Sequence, residues 1–262
     1  MNDVIVSFKD VCMYFGGVKA IDQLSFDVTK NQVFGIIGPN GAGKTTIFNV
    51  LSGVYVPTAG EVSFNGKLLN NIPAHDIAAN GIARTFQNIR LFNNQTVLDN
   101  MRIAYYGHIK YKVMDAILTT KRFRTEENQI EQECYETLKF MGLENYATKK
   151  AGALPYGLQR RIEIARALSC KPQVLLLDEP AAGMNPNEID ALNELILKIQ
   201  NHYGLTIILV EHQMRLVMQI CERILVVNFG KKLAEGLPKE IQNNMQVLEA
   251  YLGKKAVNRY EK

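Results

Sequence analysis

Gly38, Gly43, Lys44 and Thr45 stand at the spacing Gly-x-x-x-x-Gly-Lys-Thr, within Gly38-Pro39-Asn40-Gly41-Ala42-Gly43-Lys44-Thr45-Thr46. This is the P-loop pattern, and each fixed position has a chemical reason. Glycine accepts φ > 0, so the backbone can curl around a phosphate with no Cβ in the way. The loop amides and those of the following helix N-terminus then point at the anion. Lys44 is placed to reach the β- and γ-phosphates, and the Thr45 hydroxyl to bind Mg²⁺. Phe34-Gly35-Ile36-Ile37 reads as a buried strand and Thr46–Leu51 as a helix, the context the motif requires. The chain is expected to bind a nucleoside triphosphate.

A second group of polar residues follows other apolar runs. Val174-Leu175-Leu176-Leu177 reads as a central parallel strand and leads into Asp178 and Glu179. Downstream of a P-loop, an aspartate there can hold Mg²⁺, directly or through water. Glu179 projects differently and can take a proton from an attacking water. Thr206–Val210 is another strand-like run, ending at Glu211-His212. His212 can donate to a γ-phosphate or its transition state, or can simply be a satisfied strand-end histidine. Ile82–Gln87 reads as a strand closing on Gln87, which says nothing alone. Phe15, ahead of Gly16-Gly17, can stack on a base if exposed; taken alone it fits the core better.

These residues need a scaffold, and the rest of the chain supplies one. Residues 4–8 and 24–28 read as strands, with Phe15-Gly16-Gly17 as a turn between them. Glu61–Phe64 reads as a strand closed by Asn65-Gly66. Pro73 opens a short helix that stops at Asn80-Gly81. Residues 88 to about 153 lack strand runs and carry helical spacing, as in Ile130, Cys134, Leu138 and Met141. Asn185-Pro186-Asn187-Glu188 is a helix start with Asn as cap. Strands alternating with helices imply a mostly parallel sheet with ligands outside the carboxyl ends of its strands. Gly38–Thr45, Gln87, Asp178, Glu179 and His212 are then expected along one rim.

The expected architecture is α/β: a P-loop nucleotidase core (1–87 and 159–236) with an antiparallel β portion near the N-terminus. A helical subdomain is inserted at 88–158. At 237–262, Ile241, Val247, Leu248 and Leu252 suggest one short packed helix before a loose Lys254–Lys262 end. Within the insertion, Tyr105–Arg124 mixes Tyr105, Tyr106, Tyr111 and Phe123 with five basic residues. Such a stretch can bind nucleic acid or a membrane face, or can be a solvated helix face with aromatic feet in the core.

Composition narrows the class. Of 262 residues, 47% are apolar and 21% charged, enough for a full core. No apolar run reaches the length of a membrane span, and the start lacks a secretion signal. Cys12, Cys134, Cys170 and Cys221 form no CxxC pair and read as reduced thiols. A net charge of +4 does not ask for nucleic acid.

Several stretches together resemble the ATP-binding cassette subunits of ABC transporters over essentially the whole chain, and most nearly those of branched-chain amino acid importers. Besides the P-loop they are Ala83-Arg84-Thr85-Phe86-Gln87, Tyr156-Gly157 with Gln159–Ala167, Leu177-Asp178-Glu179-Pro180-Ala181-Ala182-Gly183-Met184-Asn185-Pro186, and Val210-Glu211-His212. The resemblance implies Phe15 stacked on adenine, with Tyr14 as second choice. Gln87 would touch Mg²⁺ and the attacking water, Glu179 would be the catalytic base and His212 the γ-phosphate switch. Residues 154–158, Tyr156, Gly157 and Leu158 among them, would close over ATP held by a second cassette, and Ala181–Pro186 would line the seam. It also implies ATP and Mg²⁺, a second ATPase subunit, two membrane permease subunits, an external solute-binding protein and a peripheral place on the cytoplasmic face of the inner membrane. Two departures stand out. Leu154-Pro155-Tyr156-Gly157-Leu158 lacks the serine usual in that loop, with donors expected only from Gly157 onward, which implies weaker binding or slower turnover. Asn185 replaces a common aspartate.

A soluble cassette acting on ribosomes or DNA is the alternative. Those usually carry two cassettes or a long coiled coil, and this chain has neither. A GTP switch needs Asn-Lys-x-Asp, which does not occur.

Overall fold

The computed structural model describes residues 4–252. A hairpin opens it, β1 (Val4–Phe15) and β2 (Val18–Thr29), followed by β3 (Val33–Ile37), α1 (Lys44–Leu51), β4 (Ala59–Phe64) and β5 (Lys67–Leu68). Next come α2 (Ala74–Ala79), β6 (Ile82–Arg84) and the helices α3 (Val97–Tyr105), α4 (Val113–Ile117), α5 (Lys121–Phe140) and α6 (Tyr156–Leu168). The chain returns through β7 (Val174–Asp178), α7 (Pro186–Tyr203), β8 (Thr206–Val210), α8 (Met214–Ile220), β9 (Arg223–Asn228) and β10 (Lys231–Gly236), and ends in α9 (Pro238–Gln242) and α10 (Met245–Leu252).

Two sheets form. Strands β2-β1-β4-β5 make an antiparallel sheet, and β10-β9-β3-β8-β7-β6 a larger one whose members pair in parallel except for the β10 edge. Every residue of β3, β7 and β8 is buried, as unbroken apolar runs with helices on both faces require. The register aligns their ends: Val210 pairs with Ile36 on one side and Asp178 on the other. Residues just beyond these three strands therefore emerge side by side.

The α/β reading with an antiparallel N-terminal part agrees with this architecture. Four local expectations need correction. The hairpin strands extend well beyond 4–8 and 24–28, because Asp10 and Gln23 adopt φ of 48° and 51° and let each strand bulge and continue. Phe15 is 42% exposed, not core, because it ends β1 at the hairpin tip. Strand β6 stops at Arg84, three residues before Gln87. Finally, two short helices, not one, occupy 238–252, with Ile241 and Val247 buried. The expected loose segment from Lys254 lies outside the described residues.

Within 105–124 Tyr105, Tyr111 and Phe123 turn inward, whereas Tyr106 is exposed. Tyr105 is buried and donates to Glu133 (2.8 Å), and Tyr111 donates to Glu127 (2.7 Å) while meeting Phe123 edge-on. The basic side chains are exposed.

Candidate nucleotide-binding site

The P-loop spans the gap between the centre of the large sheet and α1. Gly43 caps α1 at φ 105°, and a Cβ there would lie 2.4 Å from the Ala20 carbonyl oxygen of β2. A Cβ at Gly38 would strike the Val227 carbonyl oxygen at 2.1 Å. These glycines are thus required by close backbone approach as well as by the turn. The Lys44 ammonium is buried and donates to the Gly38 (2.7 Å) and Pro39 (3.0 Å) carbonyl oxygens. An ammonium has three protons, so one remains for an anion. Burial draws its pKa below the ordinary lysine value, against the pull of Glu179, Asp178 and Glu211. Thr45 is exposed at the mouth of the loop and Thr46 half-buried.

The rim expected from sequence assembles. Gln87 Nε2 donates to Glu179 Oε2 at 2.8 Å, and His212 Nδ1 lies 3.7 Å from the same oxygen. Two residues from distant parts of the chain thus converge on the Glu179 carboxylate. Glu179 itself sits at φ 45°, an unusual conformation for a side chain of its size, with its N–H bonded to the Val210 carbonyl (2.9 Å). Asp178 closes β7 and accepts from Arg84 Nη2 at 2.8 Å, both side chains nearly buried. Arg84 also donates to Asn49 (2.7 Å) and Ser52 (3.2 Å) of the α1 segment, so one guanidinium ties β6, β7 and α1 together. Among the described residues no cluster of three or more His, Cys, Asp or Glu is suited to a metal. The hydroxyl of Thr45, the amide of Gln87 and the carboxylate of Asp178 are nevertheless hard oxygen donors. Such a sparse set fits Mg²⁺ brought in on a phosphate, since that ion keeps several waters and takes few protein ligands.

The hairpin brings Phe15 to this side of the molecule: it shares β1–β2 with Ala20, whose carbonyl faces Gly43. Phe15 packs edge-on against Tyr55 (centroids 5.2 Å apart) with a face left open. Tyr14 instead gives its hydroxyl to Asp22 at 2.7 Å and is held down.

Tyr156, Gly157 and Leu158 form the first turn of α6, behind Pro155. Tyr156 is exposed, and Gly157 fronts open space. The expectation of donors from Gly157 onward needs trimming: Leu158 and Gln159 both give their N–H to the Pro155 carbonyl, each at 3.0 Å. In the Ala181–Pro186 loop, Asn185 accepts from the N–H groups of Asn187 and Glu188 while Glu188 accepts from Asn185, a full capping box. The substitution of Asn for Asp therefore retains the cap.

Sequence reasoning missed two organising groups. Glu211 is fully buried and accepts N–H bonds from Ala181 (2.9 Å), His212 (2.9 Å) and Gln213 (3.1 Å), fixing the segments after β7 and β8 against each other. Arg160 and Glu163 of α6 form a buried pair at 2.8 Å. Arg160 donates to the carbonyls of Phe86 and Gln87, both at 2.7 Å, and to the Tyr156 hydroxyl at 2.9 Å. Glu163 accepts from the N–H groups of Phe86 and Arg90. This capture of backbone groups is why the chain leaves the sheet after Arg84. It also links the Tyr156 turn to Gln87 within one chain. Arg160→Ala strands the Glu163 carboxylate and is expected to cost about 3–5 kcal/mol of stability. Urea unfolding measures it, and a loss under about 1 kcal/mol would contradict the role of the pair.

Comparison with known proteins adds to this geometry. The family model described as "ABC transporter" matches residues 21–182, and one described as "Branched-chain amino acid ATP-binding cassette transporter" matches 231–257. The chain is 43% identical over 253 residues to the high-affinity branched-chain amino acid transport ATP-binding protein LivG of Salmonella typhimurium, covering 97% of this chain and 99% of that protein. It is 42% identical, with the same coverage, to the high-affinity branched-chain amino acid transport ATP-binding protein BraF of Pseudomonas aeruginosa. Among solved structures, a nucleotide-free ATP-binding cassette from an ABC transporter superposes with a TM-score of 0.83 at 30% identity, covering 96% of this chain and 100% of that one.

Proposed function

The chain belongs to the ABC transporter family of ATP-binding cassettes, and on that footing we propose that it is the ATP-binding and hydrolysing subunit of an importer for branched-chain amino acids. The observation that carries the hydrolytic part is the convergence of Gln87 and His212 on the Glu179 carboxylate, at the end of a sheet whose neighbouring strand feeds the P-loop.

The site works as follows. Gly38–Thr46 wrap the triphosphate with backbone donors, and Lys44 neutralises charge on its β- and γ-oxygens. Thr45, Gln87 and Asp178 would hold Mg²⁺, Asp178 through water because Arg84 engages one of its oxygens. Held there, Mg²⁺ would supply Lewis-acid neutralisation of the phosphate charge that resists attack. Gln87 orients the water, Glu179 takes its proton, and His212 donates to the γ-phosphate. Phe15 stacks on adenine. Stacking of this kind is worth about 1–3 kcal/mol, so Phe15→Ala is expected to weaken ATP binding about tenfold. Equilibrium titration with a fluorescent ATP analogue checks this, and unchanged affinity would return Phe15 to a packing role.

The Tyr156 turn seals ATP held by a second cassette. Closure and reopening of the pair move two permease subunits, through contacts of the 88–158 helical subdomain around Gln87–Phe92, on the cytoplasmic face of the membrane. An external binding protein delivers the solute. No described helix is long and apolar enough to cross the membrane, and the permease subunits are the membrane-spanning parts of the assembly in this reading. Affinity purification of the tagged chain from solubilised membranes should bring down permease subunits. Recovery with polysomes instead would favour the soluble alternative.

A further inference from the structure

Helix α4 is built the wrong way round for a soluble surface. Its Asp115 and Ala116 are half-buried, while Val113, Met114, Ile117 and the following Leu118 are 76%, 61%, 67% and 65% exposed. A contiguous apolar face on the outside of a folded protein marks a contact site. Its surroundings narrow the partner. Lys110 and Lys112 precede the helix, and Lys121, Arg122 and Arg124 follow it; all five side chains are exposed, and none forms an ion pair among the described residues. The nearby acids are engaged. Asp115 accepts from the Lys112 N–H (2.9 Å) and the Thr120 hydroxyl (3.2 Å), Glu126 from the Lys110 N–H, and Glu127 from Arg102 and Tyr111.

We propose that the α4 corner is a membrane-surface anchor: Val113, Met114, Ile117 and Leu118 insert among acyl chains while the basic rim lies on anionic phospholipid headgroups. An apolar face edged by Lys and Arg is the composition that suits the interface of an anionic bilayer. A cytoplasmic loop of a membrane protein suits it less well, because such loops carry an excess of Lys and Arg and would repel this rim. The cytoplasmic leaflet carries the opposite charge. The anchor would add a lipid contact to the permease contacts and hold the cassette at the bilayer while its dimer opens. This rests on the transporter reading only for where the chain works, because vesicle binding by the purified chain succeeds or fails independently of ATP turnover.

The test is flotation of the full chain with vesicles of phosphatidylcholine alone or mixed with phosphatidylglycerol. The mixed vesicles are expected to carry the protein, less so as salt rises. Ile117→Asp with Leu118→Asp is expected to reduce partition about tenfold or more. Lys110→Glu with Lys112→Glu is expected to abolish the preference for the anionic vesicles. ATPase activity stays unchanged in both, because α4 lies apart from the P-loop rim. Failure of the unsubstituted chain to float, or equal flotation of the Asp variant, overturns the proposal. So does loss of permease co-purification by the Asp variant in detergent, where no bilayer remains, since that outcome assigns the face to a protein partner.

Discussion

Glu179→Gln is expected to lower ATP hydrolysis by about 10²–10⁴-fold while leaving ATP binding intact. The amide keeps the shape of the side chain and can still accept the hydrogen bond from Gln87, now 2.8 Å from the carboxylate. It cannot take a proton from water. The backbone at φ 45° is no harder for glutamine than for glutamate, so the loop after β7 should hold its path. Because the γ-phosphate survives, two sandwiched cassettes stay together, and size-exclusion chromatography with ATP should show a long-lived dimer. Loss of binding, or turnover near that of the unsubstituted protein, would reject Glu179 as the base.

Lys44→Ala is expected to abolish nucleotide binding. The ammonium is the only full positive charge inside the loop, and its desolvation means its attraction for phosphate is weakly screened. Its removal also strips the Gly38 and Pro39 carbonyls of their donor, so the loop loses its internal tie as well as its charge. The negative charge of Glu179, Asp178 and Glu211, which now acts on this ammonium, would then act on the anion with only the Arg84 pairing of Asp178 to offset it. Calorimetric titration with ATP should show no saturation at concentrations that saturate the unsubstituted chain. An unchanged affinity would mean that the loop is not the site.

What the sequence discloses depends on how local the cause is. The P-loop could be read directly because its glycines are fixed by backbone geometry over a few residues, and Gly38 and Gly43 are indeed pressed against neighbouring carbonyls. The rim could be read one step further, from the rule that ligands gather at strand ends. The meeting of Gln87 with Glu179, 92 positions apart in sequence, depends on β6 lying next to β7, which no local pattern states. Phe15 was ambiguous because an aromatic at a strand end looks the same whether the hairpin tip packs inward or stands free. The Arg160–Glu163 pair resembles an ordinary surface ion pair three residues apart on a helix. Its signal was that both residues share a face with buried Ala167, so charge fell where an apolar stripe should run. The apolar residues of helix α4 drew no reading from the sequence, because their exposure depends on which elements pack beside them.

The central claim is that one rim of the large sheet grips a triphosphate which a second cassette must seal. Pro155 stands where the usual serine is lost and offers no N–H, Tyr156 is exposed and Gly157 fronts open space; in the proposed assembly this α6 turn faces ATP held by another molecule. The direct measurement is ATP turnover per molecule as the purified protein is diluted through the range where dimers dissociate. Specific activity that falls with dilution, and recovers when the missing partner cassette is added, is the predicted result. Turnover that stays constant per molecule down to a monomer would contradict it.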